Sequence, residues 1–334
     1  MDIRKIAKLC GVSTATVSRA LNRPEVVKKA TLEKVLAIVK EHNFSLNPIA
    51  QAMTIKETKK ITMVVPTIHN PYFMELVDGV TSILTPRGFY LHIYNTNNDL
   101  IMEKDILRQI IDRKINHMVD GLILAGAGSF PPGYKKLLAK INVPVVAIEI
   151  LPEDVPIDCV LVDDTIGVTM ILDYIFARKD FNIGFIFGPS NVPTTQRRME
   201  VVQKYYAAHH LSLASEYVVQ SRFDNLEESL QATKRLLALP KPPNVIYGSS
   251  DIQITAALRA IHELGLNCPK DVAVIGGNDN RGSAYTIPAL TTMHGHNEEI
   301  GKIAAATLVN RIYHPDLPIQ RILLPPALII RESC

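Results

Sequence analysis

No stretch of 18 consecutive apolar residues occurs in the 334-residue chain, so no segment has the length of a membrane-spanning helix. The opening Met1-Asp2-Ile3-Arg4-Lys5-Ile6 lacks an apolar stretch leading to a small-residue cleavage site, and so does not read as a secretory leader. Cysteine is scarce. Cys10, Cys159, Cys268 and Cys334 lie far apart with no C-x-x-C spacing, and read as reduced thiols in a cytoplasm, Cys10 being packed among apolar neighbours. Enzyme signatures are missing too: there is no P-loop lysine motif, no G-x-S-x-G and no H-E-x-x-H. Gly126-Ala127-Gly128 is a lone G-x-G without the rest of a dinucleotide fingerprint. His294-Gly295-His296 lacks nearby carboxylate or cysteine ligands and reads as loop packing, and His209-His210 suits a helix end. Neither an enzyme nor a bound cofactor or metal is expected. Low-complexity tracts and short repeats are also absent.

What is present is uneven. Residues 1–60 hold 12 Lys and Arg against 5 Asp and Glu, while the remainder holds 24 against 28. Positive charge concentrated at one end is the footprint of a phosphate-backbone binder. In that end, Asp2 is placed to cap a helix running to about Cys10, followed by a Gly11-Val12-Ser13 turn. Ser13 then caps a second helix from Thr14 to about Asn22. Ile6, Ala7, Leu9, Val12, Val17, Ala20 and Leu21 take the apolar positions, leaving Thr14, Ala15, Thr16, Ser18, Arg19 and Asn22 on the other face. Short polar residues opening a helix, with an arginine further along it, suit a major groove. An ordinary helical hairpin is the alternative from spacing alone, and the charge contrast favours nucleic acid. A third helix is expected from about Thr31 to His42, with Leu32, Val35, Leu36 and Val39 inward.

Residues 47–60 follow as a linker. Pro48 fits a helix start, and Ile49, Ala50, Ala52 and Met53 give an apolar stretch of about two turns, too short for an isolated helix. It is either a tether or a helix formed on docking. Beyond Lys60 the pattern becomes βα alternation. Strands are expected near 61–65, 89–94, 120–125, 143–149, 158–162, 182–187, 216–220, 244–248, 271–276 and 320–325. Helices are expected near 72–86, 99–114, 133–140, 165–178, 195–210, 226–238, 251–264 and 297–313. Such alternation demands parallel sheets with helices on both faces, and its length divides into two α/β lobes facing a cleft. The expected fold is thus a small all-α helix-turn-helix head (1–46), a linker (47–60), and an α/β core (61–334) of two doubly wound parallel-sheet lobes.

The head motif A-K-L-C-G-V-S-T-A-T-V-S-R-A-L-N resembles the signature of the LacI/GalR (lactose/galactose repressor) family of bacterial regulators. The likeness covers nearly the whole chain. N-P-I-A lies in the linker, N-P-Y-F-M-E-L at 70–76, V-D-G-L-I-L at 119–124, G-P-S at 188–190 and S-S-D at 249–251. L-G-L-N-C-P-K-D-V-A-V-I-G at 264–276, P-A-L-T-T at 288–292 and L-P-P-A-L-I-I-R-E-S at 324–333 complete the series. The resemblance implies a homodimer whose heads read a pseudo-palindromic operator, and a periplasmic-binding-protein-like core with a small effector, expected to be a sugar, between its lobes. It divides the core into a lobe of about 61–158 and 293–320 and a second of about 159–292 and 321–334.

By the same resemblance the DNA contacts are Ser13, Thr14, Ala15, Thr16, Ser18, Arg19 and Asn22, with Met53 where the family wedges a leucine into the minor groove. Gln51 replaces an arginine, and Lys28 replaces the serine that caps the third helix, so Thr31 is expected to cap instead. The implied effector positions are Asn70, Tyr72, Phe73, Glu149, Gln196, Arg197, Phe223, Ser250, Asp251 and Asn278. Gln196 stands where the family places an arginine, with Arg197 beside it, Ser250 where it places an asparagine and Asn278 where it places an aspartate. Loss of both charges points to a neutral effector held by amides. A regulator governed by a protein co-regulator, or with no small-molecule effector, is the alternative. An exported solute receptor would share the core but not the basic head.

Overall fold

The computed structural model describes residues 2–22, 24–42, 44, 57–112, 118–126, 133–150, 155–178 and 181–334. The chain divides into two compact units, Met1–Thr58 and Lys59–Cys334. Among the described residues no helix is long and apolar enough to cross a membrane. The linker residues 47–56, with Gln51 and Met53, fall outside the described residues.

The head is built from α1 (Ile3–Cys10), α2 (Thr14–Asn22) and α3 (Lys29–Glu41). The Asp2 carboxylate accepts the Lys5 N–H at 2.9 Å, closing the first turn of α1. Gly11 ends that helix at φ +65°, where its N–H satisfies the last carbonyls, a conformation that suits glycine. Ile6, Ala7, Cys10, Val17, Ala20 and Val35 form the buried centre. Two expected apolar positions are not inside it: Leu9 is 50% exposed and Leu36 is 45% exposed. On α3 the inward stripe drifts instead to Leu32, Val35, Ile38 and Val39, as 3.6-residue periodicity requires. Nor does Thr31 cap α3. The helix begins two residues earlier, at Lys29, and Lys28 occupies the cap without a side-chain hydrogen bond. Backbone geometry starts this helix without help from a capping side chain.

The described residues of the second unit form two six-stranded sheets. The first contains β1 (Lys60–Val65), β2 (Tyr90–Asn95), β3 (Gly121–Ala125), β4 (Val145–Ile148), β5 (Asp158–Val162) and β11 (Arg321–Leu324), in the order β11-β5-β4-β3-β1-β2, all parallel. The second contains β6 (Ile183–Phe187), β7 (Val218–Gln220), β8 (Val245–Gly248), β9 (Ala273–Gly276), β10 (Thr291–His294) and β12 (Ala327–Ile329). Its order is β12-β10-β9-β8-β6-β7, parallel except for the β10–β12 pair. Residues of β1, β3, β4, β5, β6, β8 and β9 are almost all buried, the consequence of helices covering both faces of a parallel sheet.

The division into lobes differs from expectation. Residues 159–162 pair with β4 and β11, so β5 belongs to the first lobe, and so does the strand near 320–325. Residues 291–294 and 327–329, for which no strand was expected, pair in the second. The chain therefore crosses between lobes near 163, 295 and 325. Apolar runs show that a strand is buried but not which sheet accepts its backbone bonds, and the three or four residues of β10 and β12 are too short for a pattern.

Among the described residues seven longer helices pack on these sheets: α4 (Pro71–Leu84), α5 (Leu100–Ile111), α7 (Asp164–Phe176), α8 (Pro193–Ala208), α9 (Leu226–Leu237), α10 (Asp251–Glu263) and α11 (Asn297–Tyr313), with a short helical turn at α6 (Tyr134–Leu138). In the first lobe α4 crosses α11 backbone to backbone. A Cβ at Gly79 would lie 2.0 Å from the Glu298 carbonyl oxygen, and one at Gly301 would lie 2.2 Å from that of Leu76. Only glycine at both positions permits this approach.

Candidate functional site

On the head, α2 carries the exposed polar residues. Ser13 Oγ accepts the Thr16 N–H at 3.1 Å and also bonds the Thr16 hydroxyl at 2.9 Å, so the start of the helix is fixed from within. Thr14, Ala15 and Arg19 are exposed, while Thr16 and Ser18 are half-buried. Val17, Ala20 and Leu21 face α1 and α3, which leaves the polar residues outward. Asn22 ends the helix, and Met53 lies outside the described residues.

The core holds a cavity of about 190 Å³ at the carboxyl ends of both sheets. In each sheet the order reverses beside the first strand (β2-β1-β3 and β7-β6-β8), and crevices form at such switch points. Residues following nine of the strands reach this space. From the first lobe come Thr67 and Asn70 after β1, Thr96 and Asn98 after β2, Gly126 after β3 and Glu149 after β4, with Tyr72, Phe73 and Glu103 from the helices. From the second come Pro189 after β6, Phe223 after β7, Ser249 after β8, Asn278 after β9 and Gly295 after β10, with Arg198 from α8.

Of the ten expected effector positions, Asn70, Tyr72, Phe73, Glu149, Phe223 and Asn278 line the cavity, and Gln196, Arg197, Ser250 and Asp251 do not. Gln196 is exposed, and its amide donates to the Ser190 carbonyl at 2.9 Å. Arg198, two residues on, is the guanidinium in the wall. The buried stripe of α8 is Thr195, Arg198, Val202 and Tyr206, which puts Gln196 on the opposite face. That spacing was readable in the sequence and would have selected the third of the consecutive Gln-Arg-Arg residues. The cavity has therefore kept an arginine.

Arg198 is fully buried and held rigidly. Its Nε donates to Asp164 at 2.7 Å and its Nη1 to the Ser249 carbonyl at 2.6 Å. Arg197 also bonds Asp164, at 3.0 Å, and approaches Glu149 at 3.5 Å. Glu149 itself sits at φ +59° at the end of β4 and accepts the Val162 N–H at 3.2 Å. Burial, and then the Asp164 charge, push its carboxyl above the usual range despite the two arginines. Burial raises Glu103 to about 7, and the Tyr134 hydroxyl donates to its carboxylate. The Tyr72, Ser249 and Asn297 side chains each leave a buried polar oxygen without a hydrogen-bond partner beside the cavity.

Ser250 and Asp251 act underneath. Ser250 caps α10 in a reciprocal box with Gln253, and its hydroxyl donates to the Phe223 carbonyl at 3.0 Å. Asp251 is buried and accepts the N–H groups of Gly277 (2.9 Å), Asn278 (3.2 Å) and Asn280 (2.8 Å) and the hydroxyls of Thr292 and Ser283. One carboxylate thereby shapes the whole loop that carries Asn278. Phe223 lies on the Gly188 backbone, where a Cβ would come within 2.1 Å of its ring. Sequence reasoning missed Arg198, Glu103, Ser249 and Asn297. Apart from the stripe of α8, only tertiary folding brings them together.

Two family descriptions match the chain: bacterial regulatory proteins of the lacI family over residues 2–47, and a periplasmic binding protein-like domain over 173–334. The HTH-type transcriptional repressor PurR of Haemophilus influenzae (strain PittEE) is 30% identical over 336 residues, covering 99% of this chain and 98% of PurR. The ribose operon repressor of Escherichia coli (strain K12) is 28% identical over 331 residues, 99% of both chains. Among solved structures, the Lac repressor dimer bound to operator and the anti-inducer ONPF superposes with a TM-score of 0.86 at 22% identity, over 100% of this chain and 98% of that one. The two chains share a fold. With a basic helix-turn-helix head, a two-lobed core and this extent of identity to a repressor, the chain belongs to the LacI family and is a DNA-binding transcriptional regulator rather than an enzyme.

Proposed function

We propose that the protein is a cytoplasmic repressor that binds a pseudo-palindromic operator as a homodimer, and that an uncharged, monosaccharide-sized effector in the cleft tunes its grip. Thr14 and Ala15, exposed at the start of α2, are assigned to base edges, and Ser13, Thr16, Ser18, Arg19 and Asn22 to phosphate contact and orientation, with Met53 as the minor-groove wedge. The carrying observation for the effector is the cavity itself: residues of both lobes surround it, so a bound molecule favours one lobe orientation over another. At about 190 Å³ it is below the size typical of drug-like ligands.

Its chemistry favours a neutral donor-rich molecule, though not through missing charges. Both arginines of the lining already pair with carboxylates, Arg198 with Asp164 and Arg222 with Glu228. Glu103, Glu149 and Asp224 add acceptors, and Tyr72, Phe73 and Phe223 offer apolar faces for the C–H side of a sugar ring. An added phosphate would meet carboxylates before it met an uncommitted cation. Thermal-shift measurements against neutral sugars, sugar phosphates, nucleosides and purines test this. A neutral sugar at a hundredfold excess over its Kd should add about 2.7 kcal/mol to the stability of the core. Stabilisation by phosphates alone would reverse the chemical assignment, and no stabilisation by any class would remove the effector.

A further inference from the structure

At the rim of the cavity, on one edge of the cleft, a second set of polar contacts joins the lobes. Glu75 projects from α4 of the first lobe and is 8% exposed. Its Oε1 accepts the backbone N–H of Arg281, in the second-lobe loop, at 2.9 Å. Its Oε2 accepts the Asn297 amide at 2.9 Å, and that same amide donates to the Asn278 carbonyl of the second lobe at 3.1 Å. Above them the Arg281 guanidinium reaches back to Asp78 at 2.8 Å and Glu298 at 3.3 Å, both on first-lobe helices.

These contacts have a common geometry. All but the Glu75–Asn297 bond, which lies within the first lobe, span the two lobes, and each second-lobe partner belongs to the loop that Asp251 holds in shape. Asn278, one of those partners, lines the cavity. The buried carboxylate bonds to the second lobe only while the lobes keep this separation, because the Arg281 N–H has no alternative first-lobe acceptor in the set. A lobe rotation that draws α4 away from this loop lengthens the bonds of Arg281 to Glu75 and Asp78.

We infer that Glu75 and Arg281 are positioning residues that hold the lobes in the effector-receiving orientation, as a clasp that touches neither effector nor DNA. The inference rests on the proposed effector site for its regulatory meaning, but the clasp itself is a property of the ligand-free chain. Arg281→Glu sets a carboxylate against Asp78, Glu75 and Glu298 on an exposed surface, where folding is not at stake. Asp78→Arg in the same chain restores an opposite-charge pair across the cleft.

Paired spin labels, one on each lobe of the full-length ligand-free protein, read the separation, and calorimetry with the sugar found by thermal shift reads the affinity. Arg281→Glu should lengthen the inter-lobe distance and weaken the sugar on the order of five- to tenfold. The swap should return both to near wild type, with melting temperatures alike throughout. An unchanged distance in Arg281→Glu, or a change that the swap does not reverse, overturns the clasp. If no sugar binds the wild type yet the distance shifts and is rescued, the effector reading fails and the clasp stands.

Discussion

The two lobes share one strand order but bring opposite chemistry to the cavity between them. The second-lobe wall is fixed charge: Arg198 is locked by Asp164 and the Ser249 carbonyl, and Asp251 pins the loop bearing Asn278 through four hydrogen bonds and ties it to Thr292 of β10 by a fifth. The first-lobe wall is soft by comparison. Its two carboxylates, Glu103 and Glu149, are both pushed upward by burial, so their charge depends on pH near neutrality. A site built this way can take its directionality from one lobe and its sensitivity to conditions from the other.

The largest expected effect comes from unlocking the rigid wall. Arg198→Met leaves Asp164 buried with only the half-exposed Arg197, and removes the donor to Ser249. A loss of about 3–5 kcal/mol in urea unfolding of the core is expected. If the loss is below about 1 kcal/mol, the second-lobe wall is not the rigid partner in the comparison.

Next is the aromatic face that the same lobe contributes. Gly188→Ala places a methyl group where the Phe223 ring now lies, 2.1 Å from its nearest atom, and the ring must move. Effector Kd should rise on the order of tenfold while operator binding without effector stays the same. Unchanged affinity would mean that Phe223 lies beside the ligand rather than against it.

A smaller effect should distinguish the soft wall by its pH dependence. Glu103 titrates at about 7 in the folded chain, against an ordinary value of 4.5. The folded state therefore holds this proton more tightly, and the associated stability is complete below 4.5 and lost as pH rises through 7. Glu103→Gln, which imitates the protonated form, should stabilise the core by about 1–3 kcal/mol at pH 8 and by nothing at pH 4. Equal effects at both pH values would assign the change to packing.

The smallest effect is a control outside both lobes. Arg19→Ala on the exposed face of α2 should reduce the slope of log operator affinity against log salt by about 1, leaving effector affinity alone. A steeper slope, or altered effector binding, would contradict the separation of reading head from sensing core.

Much of this was legible in the chain. Apolar runs located ten of the twelve strands, and the caps at Asp2 and Ser13 and the turn at Gly11 were readable because local hydrogen bonds decide them. Six of the ten expected positions line the cavity, and they fall on strand ends or helix starts, where order along the chain already fixes proximity to the cleft. What failed was non-local. β5 is shared between a neighbour close in the chain, β4, and a distant one, β11, so its apolar run alone does not name its sheet, and Asp251 looks like a ligand contact until the loop it supports is folded around it. Gln196 differs in kind: the family motif points to it, whereas the helical periodicity of α8 turns Arg198 inward.

The glycine contact between α4 and α11 constrains how such a molecule can move. With Gly79 and Gly301 in backbone contact, the helix after the crossing near 295 travels as part of the first lobe. Bending must then concentrate in the three short joints themselves. One is the turn at Asp163, one is Gly295, whose Cβ position has no neighbour closer than 3.3 Å, and one is the Pro325-Pro326 pair. A change in lobe orientation would then carry the first lobe as a single lever on these joints, and the helices beside the cavity would gain reach by rotation rather than by deforming.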